Sequence, residues 1–205
     1  MNKIAVIDYG MGNLHSVGKA LEKVSNRTKV IISSDEKEIN KADKIVLPGV
    51  GAIKECLRSL EEKGLDRVVL QNIKEKPTLA ICVGMQLLFE SSEENQNTRG
   101  LSILEGKVSR IPNNSLIKIP HMGWNRVKQV SDHYMWSGIS ENSFFYFVHS
   151  YCCKKSKYTV GMTTHGLEFV SALAQGTIFA VQFHPEKSQK AGLQLYQNFI
   201  NWNGS

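Results

Sequence analysis

The chain has 205 residues, 41% hydrophobic and 21% charged, which is enough apolar material for an ordinary core without disulfides or a structural metal. Its net charge of +6 does not argue for nucleic acid, because the lysines are spread along the chain and no basic cluster carries interleaved aromatics. Cys56, Cys82, Cys152 and Cys153 have neither a secreted disulfide pattern nor the C-x-x-C spacing of a zinc site, and the start of the chain lacks the apolar block of a signal peptide. The expectation is a cytoplasmic protein, residues 1–205 forming a single domain, with no metal, no cofactor, no nucleic acid and no membrane contact.

Residues 4–7 are a continuous apolar run, as in a strand buried on both faces, and lead into Asp8-Tyr9-Gly10-Met11-Gly12-Asn13. Leu14, Val17, Leu21 and Val24 recur at helical spacing, with Asn13 placed as N-cap. The two glycines do not complete a dinucleotide fingerprint, since His15 stands at the third glycine position. Residues 29–32 read as a second strand, Ser34 or Asp35 as the cap of a short helix, and residues 44–47 as a third strand entering Pro48-Gly49-Val50-Gly51-Ala52. This alternation predicts an α/β fold, a mostly parallel central sheet flanked by helices, with functional loops at the carboxyl ends of the strands. Gly49 and Gly51 allow the turn at Val50 to aim backbone amides at a ligand, although a simple turn is the plainer reading. Helices are predicted over 53–63 and 65–74, with Gly64 ending the first.

Pro77-Thr78-Leu79-Ala80-Ile81 then forms a buried strand that ends on Cys82, followed by Val83, Gly84 and helical composition over 85–90. Strand, cysteine, turn and helix make a nucleophile-elbow pattern, in which a helix N-terminus favours the reactive thiolate. The alternative is a small buried hydrophobe, the state of most free cysteines. Residues 91–99 read as a polar loop. Short strand-like segments at 107–111, 124–130, 143–149, 158–164, 170–174 and 178–183 predict additional antiparallel strands, and 191–202 a closing helix. The last strand ends at His184-Pro185-Glu186, where imidazole can serve as a base for a thiol and the carboxylate can fix its tautomer; a surface turn is the alternative. His15, His133 and His165 lie in polar stretches and read as surface residues, whereas His121 and His149 sit in denser contexts.

Pro48-Gly49-Val50-Gly51, Ile81-Cys82-Val83-Gly84-Met85-Gln86 and His184-Pro185-Glu186, in this order, resemble the class I (triad) glutamine amidotransferases. Asp8-Tyr9-Gly10-Met11-Gly12-Asn13 and Pro120-His121-Met122-Gly123-Trp124-Asn125 are similar to stretches of one branch, the glutaminase subunits of imidazole glycerol phosphate synthases. The resemblance implies a flavodoxin-like fold and a thioester mechanism with Cys82 as nucleophile, His184 as general base and acid, and Glu186 orienting His184. It implies oxyanion donors around Gly49, Val50 and Gly51 and at Val83, with Gln86, Ser150 and Tyr151 holding the amino-acid end of glutamine. It also implies a heterodimer with a (β/α)8-barrel cyclase, which receives the ammonia through a tunnel and makes imidazole glycerol phosphate and AICAR for histidine biosynthesis. Met122, Trp124 and Asn125 would lie at that interface, and Tyr146 and Lys187 near the tunnel entrance. Trp124 as a core residue is the alternative. A paralogous amidotransferase, feeding a different synthase such as one of amidino-sugar or surface polysaccharide assembly, would keep the same chemistry at Cys82. Ala80 and Val83 depart from the residues common in the family without removing a functional group. Cys152 and Cys153 match no motif and read as two free thiols.

Overall fold

The strand and helix alternation of the first eighty residues is realised as expected in a computed structural model that describes residues 2–112 and 117–205. In chain order it contains β1 (Asn2–Ile7), α1 (Leu14–Val24), β2 (Thr28–Ser33), α2 (Glu36–Asn40), β3 (Lys44–Leu47), α3 (Ile53–Glu62), α4 (Leu65–Asn72) and β4 (Thr78–Ile81). There follow α5 (Val83–Leu87), β5 (Phe89–Ser92), β6 (Thr98–Arg99), β7 (Leu104–Arg110), β8 (His121–Arg126), β9 (Lys128–Gln129) and β10 (Phe144–His149). The chain closes with β11 (Tyr151–Cys153), β12 (Thr159–Thr164), β13 (Glu168–Gln175), β14 (Ile178–Val181) and α6 (Gln189–Asn201).

Strands β2, β1, β3, β4 and β14 lie side by side, and every pairing among them is parallel. That order is the flavodoxin-like arrangement, in which ligands bind beyond the carboxyl ends of the strands. β3, β4 and β14 are buried along their whole length, as expected of short apolar strands covered on both faces by helices. On the far side of β14 the sheet continues through antiparallel β13, β11 and β7, to which β5 adds in parallel and β6 as an antiparallel edge. β12 pairs with β13 and β9, while β8 and β10 form a separate two-stranded ribbon. No helix among the described residues is long and apolar enough to cross a membrane.

Several local expectations change. Asn13 occupies the N-cap of α1 but makes no side-chain capping bond, whereas Asp35 does cap α2 through the N–H groups of Lys37 and Glu38. The helix after Cys82 is Val83–Leu87 and ends before Phe89 and Glu90, which begin β5. Residues 91–99 are not wholly a loop, because Ser91 and Ser92 pair with Arg99 and Thr98. Every residue of α5 is buried, so a six-residue apolar window carried no helical periodicity with which to place its end. The segment 124–130 divides at Val127 into β8 and β9, and β11 forms from a stretch with no alternating pattern.

Two glycines hold the carboxyl ends of β3 and β4 together. A Cβ on Gly84 would lie 2.1 Å from the Leu47 carbonyl oxygen, and one on Gly49 would lie 2.6 Å from the Gly84 nitrogen. Both contacts are with backbone, which cannot swing aside. Gly84→Ala is therefore expected to lower stability by about 2 kcal/mol or more, read as a fall in the urea midpoint.

Candidate active site

Parallel pairing of β4 with β14 brings together two parts of the sequence about a hundred residues apart. Ile81 is in register with Val181, and the Cys82 N–H donates to Val181 O at 2.7 Å. Cys82 adopts φ 56° and ψ −111°, a region that costs a side-chain-bearing residue about 1–3 kcal/mol. The bonds that hold it there are its own N–H to β14 and its carbonyl, which accepts from Met85 and Gln86 N–H at 3.0 and 3.2 Å. The strained turn aims the side chain out of the sheet end and places it at the N-cap of α5.

Past β14 the chain turns through Pro185–Lys187, a single 3₁₀ turn pinned by Ser188, whose hydroxyl donates to His184 O at 2.6 Å. This turn lays Glu186 back against the imidazole, His184 Nδ1 to Glu186 Oε1 at 2.8 Å, with both side chains buried. A carboxylate accepts from Nδ1–H, so Nε2 is the end of the ring left to exchange a proton. Nε2 is buried with no hydrogen-bond partner among the described residues. Burial by itself would lower His184, but its bond to Glu186 and its charge interactions with Cys82 and Glu186 outweigh that and push it up to about 10. So raised, His184 holds a proton more firmly than a free imidazole.

The turn at Val50 stands beside Cys82 because β3 pairs with β4. Tyr9, buried at the end of β1, donates its hydroxyl to Pro48 O at 2.6 Å, a role for the Asp8–Asn13 segment that sequence did not suggest. The thiol of buried Cys56 donates to Val50 O at 3.3 Å. The carbonyl and N–H of a trans peptide point in opposite directions, so the Gly51 N–H faces away from Cys56. Gly51 has φ +86°, the left-handed region that glycine enters freely, while Gly49 serves close approach and has no positive φ. Val83 opens α5, where the first N–H groups have no partner within the helix.

A cavity of about 390 Å³, the size of a small-molecule site, is lined by Val50, Gly51, Cys82, Val83, Gln86, Ser150, Tyr151, His184 and Lys187. Most expected site residues therefore meet in one place. Gln86 is buried, its amide nitrogen 3.1 Å from Tyr151 O and 2.9 Å from Gln182 Oε1. Glu94, from the stretch read as a loop, also lines the cavity and accepts the Ile53 N–H at 2.8 Å, capping α3 from a distance. No sequence signal marked it, because one carboxylate in a polar stretch looks like solvated surface.

The β8–β10 ribbon lies at the rim, tied to the His184 turn by His184 N–H to Tyr146 O at 2.9 Å. Its outer face exposes Met122 (62%), Trp124 (46%) and Phe144 (49%), with Tyr146 against Trp124 and Lys187 over the Tyr146 ring. Trp124 is not a core residue. Asn125 falls on the opposite face, as strand alternation requires, and its amide nitrogen lies 2.9 Å from Thr164 O and 3.1 Å from His121 Nε2. His121 Nδ1 is 2.9 Å from His149 Nε2, and His149 Nδ1 is 2.8 Å from Tyr151 O. Since Tyr151 O only accepts, the protons of this chain are assigned: His149 donates to it, His121 to His149, and Asn125 to His121. His165, expected at the surface, stacks on His121 at 4.1 Å, and His133 packs on Phe179 and Trp202. His15 alone of the three is exposed.

Comparison with known proteins agrees with this geometry. The model of the glutamine amidotransferase class-I family matches residues 5–202. The chain belongs to the class I glutamine amidotransferases. Within them this amidotransferase is 52% identical to the imidazole glycerol phosphate synthase subunit HisH of Acinetobacter baylyi, over 99% of this chain and all of that protein. It is 49% identical to the subunit of the same name from Pseudomonas putida, over 100% and 99% of the two chains. Among solved structures, a glutamine amidotransferase superposes with a TM-score of 0.72 at 16% identity, covering 97% of both chains. PurLQS from Thermotoga maritima gives 0.68 at 16% identity, covering 98% of both, and at such identities the likeness concerns the fold.

Burial, then His149 and His165, lower His121 to about 3, and burial lowers His149 to about 4 against the pull of its bond to Tyr151 O. The unfolded chain protonates these two near 6.5 and the amidotransferase fold only near 4 and 3, so their contribution is present above about 6.5 and is lost as pH falls toward those values. His184, raised, contributes in the opposite sense: its share is present below about 6.5 and lost as pH rises through about 10. A His121→Phe, His149→Phe double variant should lose less of its urea midpoint between pH 7 and pH 5 than the unaltered chain.

Proposed function

We propose that this chain, acting as one domain in the cytoplasm, is the glutaminase subunit of an imidazole glycerol phosphate synthase. In this reading it hydrolyses glutamine through a thioester on Cys82 and passes the ammonia to a (β/α)8-barrel cyclase. The observation that carries the chemistry is a cysteine at a strained strand-to-helix turn sharing one cavity with a buried His184–Glu186 pair whose Nε2 is unpartnered. The identity of about half the residues with HisH subunits, over the full length of both chains, supports the pairing with a cyclase.

His184 Nε2 takes the proton of the Cys82 thiol. The thiolate attacks the side-chain amide carbon of glutamine, and the electron pair of the C=O moves to oxygen. The Gly51 N–H, turned away from Cys56, and the Val83 N–H at the start of α5 are the donors placed for that oxyanion, each worth about 3 kcal/mol in the transition state. His184 gives its proton to the departing nitrogen, ammonia leaves, and a glutamyl thioester remains. Water then attacks as His184 takes a proton from it, the C–S bond breaks with its electron pair returning to sulfur, and glutamate is released. Glu186 keeps Nδ1–H engaged throughout, so Nε2 is always the end that moves a proton. Glutamine is a zwitterion: the Glu94 carboxylate suits its ammonium, and Gln86 with the Ser150–Tyr151 backbone suits the rest of its amino-acid end. The exposed apolar face of the β8–β10 ribbon, next to Lys187 and Tyr146, is the docking surface for the cyclase. A rigid aromatic anchor such as Trp124 is the residue type that dominates such contacts.

With a cognate cyclase and its nucleotide ligand present, the chain should release glutamate from glutamine. Cys82→Ala should reduce that rate by at least about 1,000-fold, and undiminished release by this variant would exclude the mechanism. Trp124→Ala should weaken cyclase binding by about 2 kcal/mol in calorimetric titration while its urea midpoint stays near that of the unaltered chain. An unfolded Trp124→Ala protein would show that the residue supports the fold and does not act at the interface.

A further inference from the structure

Gln182 takes no part in the mechanism so far, yet it is fully buried at the centre of the site. It lies one residue past the last β14 position paired with β4, beside Cys82, and two residues before His184. Its side-chain amide has different neighbours at its two ends. Oε1 is 2.9 Å from Gln86 Nε2, and Nε2 is 3.7 Å from Cys82 Sγ.

The surroundings decide which end of the amide is which. Tyr151 O is a backbone carbonyl and only accepts, so the end of Gln86 lying 3.1 Å from it is the NH₂. That same NH₂ faces Gln182, which must therefore present its oxygen there. The opposite end, turned to the sulfur, is then the NH₂ of Gln182. One backbone carbonyl thus orients two buried amides in succession and leaves an N–H directed at Cys82. The carbonyl is itself held by the N–H of His149, 2.8 Å away, so the series has a fixed origin.

We propose that Gln182 is a catalytic residue of this site, donating a hydrogen bond to the Cys82 sulfur that stabilises the thiolate. The donor assignment rests on the buried amide network; its part in turnover rests on the glutaminase reading. An N–H directed at a sulfur favours the charged form, whereas the other oxygen near it, Val148 O at 3.9 Å, can only accept from the neutral thiol. Gln182 opposes that acceptor. Being buried, the donor has no water to replace it. It acts twice in a turnover: it holds the thiolate before attack, and it receives the sulfur again when the C–S bond breaks and the electron pair returns to it.

The test uses the full chain with Gln182→Met and Gln182→Leu, which remove the donor and leave Gln86 its acceptor at Tyr151 O. Alkylation of Cys82 by iodoacetamide is followed against pH by mass spectrometry of the Cys82 peptide, with circular dichroism checking the fold. The midpoint of the alkylation profile should move up by about one pH unit, making Cys82 about tenfold slower to alkylate at pH values below that midpoint. With the cyclase present, kcat should fall by a similar factor while KM for glutamine stays within about twofold. A residue that only packs would alter stability and leave the profile in place, so superimposable profiles for either folded variant overturn the proposal. Should both variants unfold, the unaltered protein still decides: the Gln182 side-chain NH₂ resonances must shift as Cys82 ionises, and resonances indifferent to that ionisation overturn it. Shifted profiles without glutamate release by the unaltered chain overturn the glutaminase reading and leave the donor standing; unshifted profiles with normal release overturn the donor alone.

Discussion

The parallel pairing of β4 with β14 is the constraint on which the site depends. One bond, Cys82 N–H to Val181 O, joins the end of one strand to the end of its neighbour. Because the register sets Ile81 opposite Val181, the next residues, Cys82 and Gln182, must emerge side by side, and His184 two residues later. A slip of one residue would turn one set of side chains to the other face of the sheet and separate sulfur from imidazole. The pairing of β3 with β4 adds the Val50 turn from the other side, and the glycine contact between Gly49 and Gly84 sets how closely it approaches.

The polar groups of the site are oriented by atoms that have no choice of role. Glu186 only accepts, so His184 Nδ1 donates and Nε2 faces the chemistry. Tyr151 O only accepts, and from it both the Gln86–Gln182 amides and the His149–His121–Asn125 chain take their orientation. Buried networks of this kind are stable only when their members are satisfied, and here His121 and His149 have partners at both ring nitrogens and Gln182 at both ends of its amide. Within the cavity, His184 Nε2 is left without a hydrogen-bond partner among the described residues, and in the proposed mechanism it is the atom that moves a proton. Strain at Cys82 and a buried unpartnered nitrogen both cost stability, and both occur where they are useful.

The β8–β10 ribbon relates the rim to the interior through simple strand alternation. Met122 and Trp124 face outward, while His121 and Asn125, which flank them in sequence, face inward and join the hydrogen bonds that end at Tyr151 O. The exposed face and the inner network are thus two sides of one strand. The backbone beneath the outer side also supports the bonds that end at Tyr151 O.

Local sequence determined a good deal of this. The buried strands, the α/β alternation, the turn at Val50, the elbow at Cys82 and the turn at His184-Pro185-Glu186 were legible, because continuous apolar runs and glycine or proline breaks are short-range signals. The length of α5, the β5–β6 hairpin, the division of β8 from β9 and the ring packing of His133 and His165 were not, since each depends on neighbours distant in the chain. Glu94, Tyr9, Cys56 and Gln182 escaped for the same reason. Their contributions are hydrogen bonds across 41, 39, 6 and 100 positions, and even the shortest depends on how the Val50 turn is folded. Sequence by itself supplied the chemical groups and the turns that carry them. Tertiary structure decided which groups meet and which end of each faces the sulfur, because strand register and the one-way role of a backbone carbonyl exist only once the sheet has formed.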